Sequence, residues 1–281
     1  NLTSPKAREI SPEIISKMFI ISAREKNEDA RSFESKLSCA SDMAKRGLLP
    51  CSAEEFEEYL EYYTTHHMGE AVSHSPLYRE LYKPSYRVIL SVWKELFPII
   101  KAVQDSAESC DCVIVAIDGM AASGKSTAAK YLAELFDAPI IHTDHFFLPL
   151  EMRTKDRMNE VGGNLHRERF FTEVIENLDS KKDFKYKIFD CSKNTFTQTV
   201  KVPSSKVLIV EGAYSLHPYF GDYASVKVCM KIGAKTQSKR ILERNGAALH
   251  ERFINEWIPL ENRYLKHFSI SENCDIIVNT D

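Results

Sequence analysis

Polar and apolar positions follow two different rhythms along the 281-residue chain, and the rhythm changes near residue 109. Before that point apolar residues recur three and four apart, as in Phe56, Tyr59, Leu60 and Tyr63, which predicts helices burying one face. Ser11-Pro12, a capping box of Ser52 and Glu55, and Ser75-Pro76 mark helix starts, while Gly47 and Gly69 mark ends. Pro84 reads as a further start, opening a helix through Val88, Leu90, Val92, Trp93, Leu96 and Ile100 to about Ala107. Its apolar surface is wide, as expected of a connecting helix buried on both sides. The polar stretch 104–109 then separates a helical N-terminal region, 1–108, from a domain spanning 109–281.

Beyond residue 109 the pattern becomes short apolar runs, unbroken at 113–117 and 207–210 and interrupted by single charged residues at 226–232 and 274–278, separated by helical segments. Such runs, rich in β-branched residues, predict parallel strands covered on both faces. A shorter run, 139–143, reads as another strand. Residues 184–189 and 197–202 instead alternate, which predicts a β-hairpin lying over a surface. The whole is an α/β chain: a mainly parallel sheet between helical layers, preceded by an all-helical region.

Chemistry enters immediately after the first strand. Gly119, Met120, Ala121, Ala122, Ser123, Gly124, Lys125, Ser126 and Thr127 fit G-x-x-x-x-G-K-[ST], with a strand before and a helix after. Backbone N–H groups of such a loop converge on phosphate oxygens, and the following helix adds partial positive charge at the same spot. Residues 119–127 are therefore the expected cradle of a nucleoside triphosphate, with Lys125 on the β- and γ-phosphates and the Ser126 hydroxyl on Mg²⁺. Asp144 follows the 139–143 run, where open α/β sheets present groups to ligands. Glu211 ends the 207–210 run and has the form of a strand-terminal magnesium carboxylate. Arg240 and Arg244 fall on one helix face, a natural lid for phosphates. Polar residues 150–165, with Gly162-Gly163-Asn164, read as a mobile substrate loop.

Net charge of -3 and a pI near 6.4 argue against a dedicated nucleic-acid or anionic-membrane binder, and no apolar run reaches membrane-spanning length. Seven scattered cysteines without a C-x-x-C pair suit buried free thiols in a cytoplasmic protein. His66, His67 and His74 match no metal-ligand template.

With its P-loop, Asp144 followed by Phe146 and Phe147, Glu211-Gly212 and the Arg240/Arg244 pair, the region from about 113 to 278 resembles the uridine kinase and phosphoribulokinase group of P-loop small-molecule kinases. The resemblance implies a P-loop kinase three-layer fold with a five-stranded parallel core, and transfer of the ATP γ-phosphate to a small-molecule hydroxyl. It assigns Asp144 as the base, Lys125 to phosphate, Ser126 and Glu211 to Mg²⁺, and the two arginines to the lid. Asp144, Phe146, His166, Arg169, Tyr186 and Asp190 are the expected acceptor-binding residues. His166 stands where the family carries an acidic sugar-binding element, and the Tyr186 to Asp190 segment matches only loosely. The expected acceptor is a nucleoside or nucleoside-like compound, with a pantothenate- or nicotinamide-riboside-like vitamin precursor as alternative. An NTP-switched module docking a partner through its helical region is the competing class. A homo-oligomer is left open.

Overall fold

The computed structural model describes residues 3–25, 30–67, 73–178 and 182–280, with the side chains of 30–32 also left undescribed. The expected helix end at Gly69 lies outside these residues. The chain forms two compact units, residues 1–7 with 22–88, and residues 8–21 with 89–281. In chain order the helices are α1 (Pro12–Arg24), α2 (Ala30–Lys45), α3 (Ala53–His66), α4 (Pro76–Tyr82), α5 (Val92–Ser109), α6 (Lys125–Phe136), α7 (Lys155–Asn159), α8 (Arg167–Phe170), α9 (Glu176–Leu178), α10 (Ala234–Arg252) and α11 (Ile258–His267). The strands are β1 (Val113–Gly119), β2 (Ile140–His142), β3 (Phe184–Asp190), β4 (Thr195–Val202), β5 (Val207–Glu211), β6 (Val226–Lys231) and β7 (Ile276–Asn279).

In the first unit α2 packs on α3, with Phe33 and Tyr63 ring centroids 6.4 Å apart. Ser52 and Glu55 form the expected reciprocal capping box, satisfying two backbone donors that a helix start leaves open. Pro84 starts no helix. Residues 83–90 are non-helical up to the turn at Ser91, and α5 begins only at Val92. Lys83, in left-handed backbone (φ 42°), caps the end of α4, and the residue before a proline disfavours the right-handed helical backbone that would continue it.

The second unit is built on a five-stranded, all-parallel sheet in the order β2-β5-β1-β6-β7. Every residue of β1 and β5 is buried, which explains their unbroken apolar runs. One sheet face, including Val113, Val115, Ile117, Val207, Ile209 and Val228, packs with Trp93, Leu96, Ile99 and Ile100 of α5, Met18 of α1 and Leu132 of α6. The other face, with Ile114, Leu208 and Val210, packs with Phe146, Phe170, Tyr186 and Tyr264. The result is a three-layer α/β fold. The compact units divide at 88/89 rather than at the 108/109 boundary read from polarity. The reason is α5: its apolar face belongs to the sheet's core.

Residues 150–165 are more structured than a loop. They hold a short 3₁₀ turn (Leu150–Met152) and α7, and Arg157 ties them down by donating to Gly163 O (2.9 Å), Leu165 O (2.9 Å) and Glu168 (2.7 Å). β3 and β4 pair antiparallel as the expected hairpin.

Candidate functional site

Central strand β1 delivers the phosphate loop at the carboxyl edge of the sheet, where open α/β sheets bind ligands. Gly119 (φ 131°) pairs so closely with β6 that a Cβ would collide with the Met230 carbonyl. Gly124 (φ 93°) occupies the N-cap of α6, in a backbone region that side chains disfavour. Ala121, Ala122, Ser123, Gly124, Lys125, Ser126 and Thr127 all line one cavity of about 460 Å³. Lys125 Nζ donates to the loop's own carbonyls, Gly119 O (2.8 Å) and Met120 O (2.9 Å). Ser123 is fully buried, its N–H on Met120 O (3.2 Å) and its carbonyl accepting from Thr280 Oγ1 (2.9 Å).

Asp144, Glu211, Arg240 and Arg244 line the same cavity. Glu211 is buried, and both its oxygens accept from Ser126 Oγ at 3.2 Å. Its Oε1 also meets His142 Nδ1 at 2.5 Å, and that hydrogen bond raises the imidazole's pKa above the ordinary histidine value. The pairing follows from register, since His142 and Glu211 face each other at the ends of β2 and β5. A hydroxyl beside a buried carboxylate is a hard oxygen donor set that fits Mg²⁺, which takes few protein ligands and completes its shell with water and phosphate oxygens. Among the described residues no cluster of three or more His, Cys, Asp or Glu side chains forms a separate metal site.

Asp144 opens to the cavity as a residue, yet protein crowds its carboxyl. This desolvation, with the charge of Glu211, raises its pKa, while Lys125, His142 and Arg244 pull it down. Arg240 is clamped, donating to Thr280 O (2.6 Å), Thr280 Oγ1 (3.2 Å) and Ala122 O (3.3 Å). Arg244 is exposed, with Nε on the adjacent Asn245 and its guanidinium 5.9 Å from the Phe253 ring. Non-helical Gly246 interrupts α10 two residues later.

The remaining expected acceptor residues do not line this cavity. Phe146 is core, and the Arg169 guanidinium lies 4.1 Å above its ring. Arg169 donates to the His145 and Lys187 carbonyls, joining the segment after β2 to β3. His166 caps α8, accepting the Arg169 N–H at 3.3 Å. Tyr186 is buried with its hydroxyl on His145 Nδ1 (3.0 Å), and Asp190 folds onto Ser192 in its own turn (2.6 Å).

Three side chains absent from the sequence reading complete the site. Asp118, fully buried at the end of β1, accepts from Gly119 N (2.7 Å), Tyr214 N (3.3 Å), Leu216 N (2.9 Å) and Tyr264 Oη (2.7 Å). Burial raises its pKa while these hydrogen bonds oppose the rise. Glu261 on α11 reaches the loop and accepts the Ala121 N–H at 2.8 Å. Gln237 donates to Ala121 O at 2.9 Å. His142 was in reach of inference from its place two residues before Asp144. Glu261 was not, because 140 residues separate it from Ala121.

Strand order, phosphate loop and acidic strand ends define an α/β three-layer P-loop fold. No protein-family profile matches the chain, and no curated protein matches it. Among solved structures, it is similar to one assigned as a possible uridine kinase from Bacillus stearothermophilus, at 15% identity and TM-score 0.48, over 64% of this chain and 99% of that one. A second, assigned as a fructose transport system kinase from a Silicibacter species, aligns at 21% identity and TM-score 0.49 over 62% of this chain and 96% of its own. A shikimate kinase from Bacteroides thetaiotaomicron aligns at 16% identity and TM-score 0.31, over 59% of this chain and 86% of that one.

Proposed function

We propose that this chain is an ATP-dependent phosphotransferase that moves the γ-phosphate to a hydroxyl of a small molecule. The observation that carries the reading is the meeting of Lys125, Ser126, Asp144, Glu211 and Arg244 around one cavity. Phosphoryl transfer needs positioning and charge neutralisation more than covalent chemistry, and these groups supply both. Lys125 exchanges its loop carbonyls for the β- and γ-phosphates. Ser126 and Glu211 are the residues to hold Mg²⁺, which when bound neutralises developing phosphate charge. Asp144 orients the attacking hydroxyl and takes its proton as the bond to phosphorus forms. Its raised pKa makes it a better base than a free aspartate at neutral pH. Arg244, beside the break at Gly246, closes over the transferring group and excludes water.

Glu95, Lys125, Asp144 and Glu211 give the cavity a polar, charged lining. That favours a sugar-like or chain-like polar acceptor: the ribose of a nucleoside, or a pantothenate- or nicotinamide-riboside-like compound. The seven unpaired cysteines suit a reducing, cytoplasmic setting. Among the described residues no helix is long and apolar enough to cross a membrane.

The test is ATP consumption against a panel of hydroxyl acceptors. Asp144→Asn is expected to lower turnover about a hundred- to ten-thousand-fold with its melting transition retained, and Lys125→Ala to weaken ATP binding as well. Near-normal turnover in Asp144→Asn would remove that residue from the mechanism. A nucleotide-dependent protein partner without turnover of any acceptor would support a switch instead.

A further inference from the structure

The phosphate loop is built to offer backbone N–H groups to anions, yet one of them, Ala121 N–H, is held at 2.8 Å by a carboxylate of the chain itself. That carboxylate, Glu261, sits on α11 one helical turn before Tyr264, whose hydroxyl donates to Asp118 at the base of the same loop. Two contacts from one helix face therefore fix α11 against the loop, and the Glu261 side chain lines the cavity where phosphates would arrive. A carboxylate and a phosphate cannot share that position at low cost, because both are anions in partly desolvated surroundings.

We propose that Glu261 is a proton-dependent gate on triphosphate binding, holding the Ala121 N–H as a carboxylate and yielding it to a phosphate oxygen only as the neutral acid. The inference rests on the nucleotide-binding half of the proposed function and is independent of which acceptor is phosphorylated. The groups facing Glu261 set its titration. Lys125 at the start of α6 and the Ala121 N–H favour the anion, whereas Asp118 on β1 and Asp144 after β2 oppose it. Tyr214, after β5, also interacts with it, and Glu95, Glu211, Arg240 and Arg244 line the same cavity. Burial outweighs the rest and lifts the Glu261 pKa to about 7. The exchange thus falls near neutral pH.

The experiment measures Mg²⁺–ATP affinity of the full chain from pH 6 to 8.5, comparing wild type with Glu261→Gln and Glu261→Ala. With the acid form required, wild-type affinity falls as pH rises: about twofold at pH 7 and about tenfold at pH 8 relative to pH 6. Both variants are expected to bind tightly across the range, so the gap to wild type opens upward in pH. Calorimetry of wild type in buffers of different ionisation enthalpy is expected to show uptake of about half a proton per ATP at pH 7. This measurement decides the matter even where a variant fails to fold. Parallel pH profiles, weaker binding in both variants, or no proton uptake would overturn the gate while leaving ATP binding intact. Proton-linked ATP binding without transfer to any acceptor would uphold the gate and sink the kinase reading. No ATP binding by the folded wild type would sink both.

Discussion

His145 lies between Asp144 and the buried Phe146, half-buried itself, and shares a hydrogen bond with Tyr186. Burial, with the charges of His142 and Arg169, pushes its pKa down to about 4. A histidine held neutral in the folded state stabilises the fold above its unfolded pKa of about 6.5, and that contribution is lost as pH falls toward 4. His145→Gln, which keeps a polar partner for the Tyr186 hydroxyl, should therefore flatten the decline in denaturant stability between about pH 6.5 and 4. An unchanged slope would show that carboxylates alone govern acid stability. At this scale the motif residues were readable from sequence because the backbone geometry of a P-loop imposes residue types at fixed spacing. In the structure His166, Arg169 and Tyr186 each make a structural contact rather than line the cavity. Arginine, histidine and tyrosine serve equally well to satisfy buried carbonyls and cap short helices, and nothing in their spacing separates that use from ligand binding.

Among the elements, β1 and β5 were legible because strands buried on both faces carry apolar runs up to their acidic ends, and β6 because Val226, Val228, Cys229 and Met230 are buried around half-buried Lys227. α5 was legible as a helix but not as a member of the α/β unit. Its wide apolar face reports burial without naming the neighbour, and the polar stretch 104–109 is its solvated last turn. Trp93, Leu96, Ile99, Ile100 and Val103 are each at most 1% exposed, and together with Met18 of α1 they cover one face of the sheet. Each large apolar side chain left uncovered costs about 1.5–3 kcal/mol, against a typical total stability of about 5–15 kcal/mol. A chain beginning at residue 109, although it keeps every motif residue, is expected to lack a cooperative melting transition. A sharp calorimetric transition from that fragment would show that α1 and α5 are dispensable.

Across the whole molecule, local sequence accounts for the strand, the loop and the helix of the phosphate site, whereas its closure is non-local. The three groups that fasten Ala121 and Ser123 come from Gln237, Glu261 and Thr280, which lie 116, 140 and 157 residues further along the chain. No periodicity or motif carries information over such distances, which is why these contacts escaped the sequence reading. The same distances bear on folding order. Contacts of high sequence separation form late because chain entropy must be lost before they reward it. A nascent or refolding chain would therefore gain its helices, which close locally, before the loop is pinned, whereas the pairing of β1 with Val207 and Val226 spans comparable distances and belongs to the late stage. In refolding from denaturant, ATP-binding competence should recover more slowly than far-ultraviolet circular dichroism. If the two recovered together, the loop would be set by its own residues alone. Nucleotide affinity is then a natural measure of complete folding, because the residues that finish the phosphate site, on α10, α11 and just beyond β7, are among the last to dock.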